Sequence, residues 1–336
     1  MAEPNYPNDL MRLVNGFQIS QAIHVAAVLG IADLLAGGAL SSDDLARKTA
    51  TDSAALYRLL RALAAAGVFH EDGEKRFALT PLGAGLTADA PVPAGPWAAL
   101  VGRPHYWDAW GDLLHSIRTG ENAFRHVNGA SIWEYRARHP EEGRIFDTAM
   151  AGLSRQVSQA IVHAYDFGAF GQIADIGGGR GAILAAILAA NPALRGVLFD
   201  QPQVIANAGP VLEAAGVAER CEVAEGNFFE SVPAGSDAYI LKSILHDWND
   251  AEAGQILQVC RAVIPAGGRL LLVEQIIASP NEGLIGKLSD LNMLVAPSGR
   301  ERTAAEFAEL VERAGFRLGA VIPTASALSI LECFPV

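Results

Sequence analysis

The stretch Gln172-Ile-Ala-Asp-Ile-Gly-Gly-Gly-Arg-Gly-Ala182 decides how the rest of the chain is read. An apolar run ends in an acid, Asp175. Gly177, Gly178, Gly179 and Gly181 follow, and Ala182 to Ala190 is an apolar segment of helical length. That order predicts strand, tight turn and helix. Glycine suits such a turn because it tolerates positive φ and lets a ligand reach bare backbone.

Two ligand classes fit the spacing. Gly177, Gly179 and Ala182 meet the G-x-G-x-x-G/A dinucleotide fingerprint. Gly177, Gly179 and Gly181 equally form a G-x-G-x-G pattern behind an acid. Asp175 separates the two. A carboxylate at the mouth of the loop repels a pyrophosphate and attracts an ammonium or a sulfonium. S-adenosylmethionine (SAM) carries both cations and no phosphate. Asp200 ends the next apolar run, Gly196-Val-Leu-Phe199, where an acid can accept both hydroxyls of a ribose. The plainer reading is a glycine-rich turn without a ligand. Strand, acid, loop, helix, strand and acid in register argue against it.

The chain of 336 residues has room for two domains, and 51% hydrophobic against 18% charged residues supplies a sizeable core. A net charge of −12 argues against a nucleic-acid or anionic-membrane partner. Cys221, Cys260 and Cys333 are far apart and odd in number, which gives neither a metal spacing nor a disulfide framework. Met1-Ala-Glu-Pro-Asn-Tyr6 does not read as a signal peptide, and the apolar runs are too short to span a bilayer. The expectation is a soluble, cytoplasmic protein.

Residues 8–36 read as one or two apolar helices. Ser41-Ser-Asp-Asp-Leu45 is a capped helix start, with helices over 45–50 and 53–66. Val68 to Leu79 reads as a hairpin around the charged turn Glu71-Asp-Gly-Glu74. Helix, turn, helix and hairpin make a winged-helix pattern, which raises DNA binding. From Ser41 to Leu86, however, six Lys/Arg are matched by six Asp/Glu. Phosphate neutralisation needs a basic face, so residues 1–95 are read as a dimerisation domain. Asp89 to Pro96 has linker composition. Residues 96–165 are helical and aromatic-rich, with Trp97, Tyr106, Trp107, Trp110, Phe124, Trp133, Tyr135 and Phe146. Much of this is packing, but flat rings also suit the walls of a site for a flat substrate.

Over 166–336 strands and helices alternate. Strands are expected at 172–176, 195–199, 220–224, 237–242, 268–276, 316–322 and 327–334, and helices at 182–190, 202–215, 250–264 and 303–314. This is an α/β chain with a Rossmann-like, seven-stranded, mainly parallel sheet whose last two strands pair antiparallel. Ligands in such sheets lie beyond the carboxyl ends of the strands. Asp175, Asp200, Asn227, Lys242 and Glu274 all fall at or just past those ends.

A second group follows strand 237–242, in Leu241-Lys-Ser-Ile-Leu-His-Asp-Trp-Asn-Asp250. His246 is the histidine best placed for chemistry, since an imidazole near neutral pKa suits a general base. It needs a partner to fix its tautomer. Glu274 is the first candidate and Glu301 the second. His24 lies on an apolar helical face and reads as structural. His70, His105, His115, His126, His139 and His163 lack motif support.

These residues resemble the SAM-dependent O-methyltransferases, in the branch of plant caffeate and flavonoid enzymes and bacterial antibiotic-tailoring and phenazine enzymes. The likeness is carried by Asp175-Ile-Gly-Gly-Gly-Arg-Gly181, Phe199-Asp-Gln-Pro202, Gly226-Asn-Phe-Phe229, Leu241-Lys…His246-Asp-Trp248, Gly267-Gly-Arg…Glu274 and Gly299-Arg-Glu-Arg-Thr303. It covers nearly the whole chain. The resemblance implies a class I methyltransferase domain behind a winged-helix dimerisation domain, and a homodimer. It implies that the loop of Gly177 and Gly179 holds the methionine part of SAM, Asp200 the ribose, and Asn227 with Phe228 the adenine. Lys242 and Trp248 are then near the cofactor, with His246 as base flanked by Glu274 and Glu301. Met150, Asn292 and Met293 resemble positions of the acceptor pocket, to which Trp110, Phe146 and Asp247 are added as candidates. The family's usual acid in the Gly-Asp-Met/Phe-Phe motif is Asn227 here. An amide oxygen still accepts from the adenine amine, more weakly than a carboxylate.

The expected reaction is transfer of a methyl group from SAM to the hydroxyl of an aromatic secondary metabolite, leaving S-adenosylhomocysteine, without a metal. N-methylation of an aromatic heterocycle is the nearest alternative. A SAM-binding tailoring enzyme that does not methylate and a SAM-sensing winged-helix regulator are the others.

Overall fold

The first element among the described residues is a helix, Tyr6–Val14, and two more follow at Gly16–Val28 and Ile31–Leu35. The computed structural model describes residues 6–91 and 93–336; Met1 to Asn5, part of the segment judged above not to be a signal peptide, and Val92, in the linker stretch, lie outside the described residues. The stretch read as one or two helices is thus three, broken at Asn15 and again at Gly30, which takes φ +64° as a left-handed cap. The chain forms two units: residues 1–107 with 136–153, and residues 108–135 with 154–336. The aromatic helical stretch 96–165 is therefore shared between them rather than standing alone.

The first unit holds the winged-helix pattern. Helix Ser42–Thr49 starts on Ser41, whose hydroxyl accepts from the Asp44 N–H at 3.1 Å. Helix Ser53–Ala65 starts on Asp52, whose carboxylate accepts from the Ala55 N–H at 2.8 Å. A short strand β1 (Leu40–Ser41), which the sequence reading missed, pairs with β3 (Arg76–Leu79), and β3 pairs with β2 (Phe69–Glu71). Leu45, Leu56, Leu60, Leu63, Phe69 and Phe77 are buried together beneath them. His24 is structural as read, its Nδ1 2.9 Å from the Ala98 carbonyl. The helices before this core leave Leu10, Met11, Leu13, Val14 and Phe17 exposed, Leu13 by 74%.

The second unit is built on seven strands: β4 (Gln172–Ile176), β5 (Arg195–Asp200), β6 (Cys221–Glu225), β7 (Ala238–Lys242), β8 (Arg269–Gln275), β9 (Phe316–Pro323) and β10 (Leu328–Pro335). Their order is β6-β5-β4-β7-β8-β10-β9. The first five pair in parallel, and β10 runs antiparallel to both neighbours. β4, β7 and β8 are almost wholly apolar and buried, as strands covered on both faces must be. Two apolar clusters cover the sheet, one with Ile183, Leu184, Ile187 and Leu188, the other with Ile256, Leu257, Phe307 and Val311.

Two expectations change. The helix expected over 202–215 is two, Pro202–Ile205 and Gly209–Ala214. Pro210, in the first turn of the second helix, accounts for the break, because it lacks the N–H that would carry the hydrogen bonds of the first helix onward. A helix at Leu284–Val295 was not read at all. It carries four residues that matter below, Ser289, Asp290, Asn292 and Met293.

Candidate active site

Parallel pairing lines up the carboxyl ends of β4 to β8 on one edge of the sheet, so residues distant in sequence converge there. The β4–helix turn is the centre. Gly177, Gly179 and Gly181 take φ of +69°, +62° and +81°. A side chain at Gly177 would meet Ile244 Cδ1 at 2.6 Å, and one at Gly178 would meet Asp175 Oδ2 at 2.5 Å. Glycine is thus required by backbone shape and by the space left to neighbours.

Asp175 is 1% exposed. It sits beneath the glycines, not at an open mouth. Neither of its oxygens has a hydrogen-bond partner. Burial pushes its carboxyl up to about 7, against the pull of Lys242 and helped by Asp200. Burial likewise holds Lys242 below its ordinary value, against the attraction of Asp175 and Glu274. A buried, unsatisfied carboxylate under a bare-backbone loop suits a ligand that brings positive charge.

Asp200 ends β5 and fixes the loop, its carboxylate accepting from Gly179 N–H at 2.8 Å and Gln201 N–H at 2.7 Å. Past β6, the Asn227 side chain is committed locally. Its oxygen accepts from Phe229 N–H at 3.1 Å, and its nitrogen donates to Glu230 at 3.0 Å. Phe228, Phe229 and Trp248 form an edge-to-face group, with Trp248 4.7 Å from Phe229 and 6.1 Å from Phe228. Trp133 stacks on Trp248 at 6.2 Å.

Beyond β7 the chain makes a short turn, Leu245–Asp247, that presents His246. Its Nδ1 is 3.1 Å from Glu301 Oε1 and 4.0 Å from Glu274 Oε2. Asp247 Oδ1 lies 3.7 Å from the other nitrogen, Nε2. Glu274 is wholly buried, and its Oε1 accepts from the N–H groups of Ile244 and Leu245 at 3.1 and 2.9 Å. Burial alone would push the imidazolium pKa down. The carboxylates of Asp247, Glu274 and Glu301 outweigh it and hold His246 up at about 10. Burial raises Glu274 to about 7, against the pull of His246.

The loop carrying Glu301 is locked to the same turn. Arg302 is 1% exposed, and its guanidinium donates to the carbonyls of Leu245 and Trp248 at 2.9 Å and pairs with Asp250 at 2.8 Å. A side chain at Gly299 would fall 1.9 Å from the His246 carbonyl, so only glycine permits this approach. From the unread helix 284–295, the Ser289 hydroxyl donates to Glu301 Oε1 at 2.7 Å, and Asp290 accepts from the Glu301 N–H at 2.9 Å.

The family models matched by this chain are an O-methyltransferase domain over residues 110–317 and an O-methyltransferase dimerisation domain over 11–89. Its curated relatives include a phenazine O-methyltransferase from Lysobacter antibioticus, 45% identical over 97% of this chain and 96% of that protein. The chain belongs to the SAM-dependent O-methyltransferases. An O-methyltransferase from neocarzinostatin biosynthesis, crystallised with SAM and 2-hydroxy-5-methyl naphthoic acid, matches with a TM-score of 0.83 at 34% identity, over 95% of this chain and 96% of that one. A relative from Streptomyces davaonensis, 37% identical over 94% of this chain and 92% of its own, is an 8-amino-8-demethylriboflavin N,N-dimethyltransferase. The sheet is that of the class I methyltransferases, and SAM is the methyl donor. No helix among the described residues is long and apolar enough to cross a membrane.

In this O-methyltransferase, Asp175, Gly177, Gly179, Asp200, Phe228, Lys242 and Trp248 stand along one sheet edge with His246, Asp247, Glu274 and Glu301. Trp110 and Asn292 also meet, the indole N–H donating to the amide oxygen at 3.2 Å. Met293 on the same helix is 8% exposed and packs inward. Phe146 and Met150 belong to the first unit. Arg302, Gly299 and Ser289 were missed as functional residues. Arg302 and Gly299 lay inside a motif already quoted, but nothing in their spacing says what a buried arginine holds. Ser289 was lost with its helix, although Leu284, Leu288, Leu291 and Val295 have helical spacing.

Proposed function

We propose that this O-methyltransferase methylates the phenolic hydroxyl of a flat aromatic acceptor, with His246 as general base. The pairing of His246 Nδ1 with Glu301 carries the proposal. In the neutral ring, a carboxylate on Nδ1 keeps the remaining proton there and leaves Nε2 able to take one. SAM supplies a methyl group made electrophilic by its sulfonium. The chain holds it through the Gly177–Gly179 loop over Asp175, through Asp200 at the ribose, and through Asn227 and Phe228 at the adenine, with Lys242 and Trp248 beside them. The acceptor hydroxyl gives its proton to Nε2 as its oxygen takes the methyl group. Glu301 and Glu274 stabilise the resulting imidazolium, and Ser289 and Asp290 orient Glu301. Trp110 and Asn292 are the acceptor-side pair best supported by geometry, with Asp247 and Met293 as further contacts. Much of the remaining acceleration comes from holding donor and acceptor in line. No step uses a metal.

The relative that methylates nitrogen supports a second reading, a ring amine as acceptor, which needs less help from a base. The retained His246–Glu301 pair argues for oxygen and against a non-methylating tailoring role. Equal numbers of cationic and anionic side chains around the winged helix argue against a regulator.

The exposed apolar side chains of Met11, Leu13, Val14 and Phe17, within the matched dimerisation domain, support a homodimer. A monomer by light scattering, from an active sample, would refute that. Three free cysteines, two of them buried, support a cytoplasmic site of action. Incubation of the enzyme and SAM with matched hydroxylated and aminated polycyclic acceptors, read by mass, tests the acceptor class. Gain of one methyl group on oxygen is expected, and methylation confined to the amines would transfer the chain to the second reading.

A further inference from the structure

Two histidines without motif support in the sequence meet ring against ring in the second unit. His115 lies on helix Leu113–Thr119 and His126 on helix Ala123–Asn128. Gly120, at φ +74°, turns one helix back on the other. The imidazoles stack with centroids 3.8 Å apart and planes within 4°. Asp112 Oδ2 is 2.7 Å from His126 Nδ1, and Glu121 Oε2 is 3.2 Å from His115 Nε2. That Nε2 is buried and, despite the short distance to Glu121, is not aligned for a hydrogen bond. One ligand atom each from Asp112, His115 and His126 falls within 4.8 Å of the others.

We propose that Asp112, His115 and His126, with Glu121 as a fourth donor, form a site for a divalent transition ion of the zinc class. Two imidazoles and two carboxylates are a donor set that such ions take in four-coordinate geometry. The two carboxylates balance the charge of the ion while both rings stay neutral. Ordinary surface hydrogen bonding explains the Asp112–His126 contact. It leaves unexplained why a second ring is stacked against it with a buried, unsatisfied nitrogen. Lone pairs of parallel rings do not converge on one point, so binding turns the His126 ring out of the stack. Its side chain is 55% exposed and that of Glu121 is 74% exposed, so the turn meets solvent rather than packed atoms.

The ion would staple a hairpin that holds the acceptor-side helix. Asn122, between the two short helices, donates to the carbonyls of Leu294 and Ala296 at 3.1 and 2.8 Å. Those carbonyls end helix Leu284–Val295, which carries Ser289 and Asn292. An ion at the hairpin therefore steadies the far end of the helix that positions Glu301.

His246, Glu274 and Glu301 also bring ligand atoms within 4.8 Å of one another, so the test must separate the two places. The full-length protein, stripped with a chelator, is titrated with Co2+ followed by d–d absorption, then with Zn2+ in competition. The same is done for His115→Ala, His126→Ala and His246→Ala. One ion per chain is expected in the wild type, with a melting temperature raised by Zn2+. His126→Ala should melt as the wild type does without metal and should bind at least roughly tenfold more weakly. His246→Ala should bind unchanged. Binding only above about 1 mM in the wild type would overturn the proposal. So would binding that survives the double variant His115→Ala/His126→Ala, or that is lost in His246→Ala alone.

Discussion

His246 and Glu301 are separated by 55 residues in sequence and by 3.1 Å in space. The histidine comes from the turn after β7 and the glutamate from the loop before helix Ala304–Arg313. Neither strand order nor helix packing alone brings them together. Arg302 does so, by donating to both carbonyls that flank the His246–Asp247 pair while its neighbour Glu301 faces the imidazole.

If His246 Nε2 takes the acceptor proton, His246→Ala should lower turnover on a phenol by about 10²–10⁴, the usual worth of acid–base catalysis. SAM affinity, read by calorimetry, should stay near the wild-type value, because the base faces the acceptor. The loss should shrink for acceptors of lower pKa, which ionise unaided. A variant with near-normal turnover at pH 7 would remove histidine from the mechanism.

The pH profile carries a sign. The imidazole pKa is held at about 10, so the neutral ring needed by a base grows as pH rises toward that value. Initial rates of kcat/KM should therefore climb from pH 7 into the alkaline range. Glu301→Gln removes a carboxylate that raises the pKa, so the rising limb should move to lower pH while the plateau falls. A limb that stays in place would show that Glu301 does not act through His246. The same raised pKa contributes stability that is complete below the unfolded value near 6.5. That stability is lost as pH rises through about 10.

Arg302→Met should destabilise the fold and the reaction together. Two carbonyls of the turn lose a cationic donor, and the cost is about 2–4 kcal/mol for such bonds. A lower melting temperature and a lower kcat are expected. Because Arg302 touches the His246 turn rather than the glycine loop, the dissociation constant for SAM should change far less. Wild-type kcat in this variant would show that the turn holds without the arginine.

Asn227→Asp would restore the carboxylate usual at this position and offer the adenine amine a charge-assisted bond, worth roughly 1 kcal/mol at most. The structure adds a complication, since Asn227 Nδ2 donates to Glu230 at 3.0 Å, and two carboxylates there repel. The single variant should gain little. Asn227→Asp/Glu230→Gln should bind SAM more tightly than either single change. Equal affinities across the set would mean that this side chain does not meet the adenine.

The glycine run, the two strand-end acids and the His-Asp-Trp turn were legible in the sequence because each is local. Glycine is demanded by φ within a few residues, and the alternation of apolar strands with helices fixes a parallel sheet and hence the edge where ligands sit. The seven strands were placed to within a residue or two for the same reason. The sequence also suggested Glu274 before Glu301 as partner of His246. Only the tertiary structure set their roles apart, with Glu301 nearer the ring and Glu274 tied to the turn's own N–H groups. Arg302, Gly299 and Ser289 were invisible for one physical reason. A buried guanidinium, a missing Cβ and a hydroxyl take their meaning from what crosses them in space. Asp175 shows the division within a single residue. Its position before the loop was written in the chain, but its burial under the glycines, and so its raised pKa, was decided by folding the loop back over it.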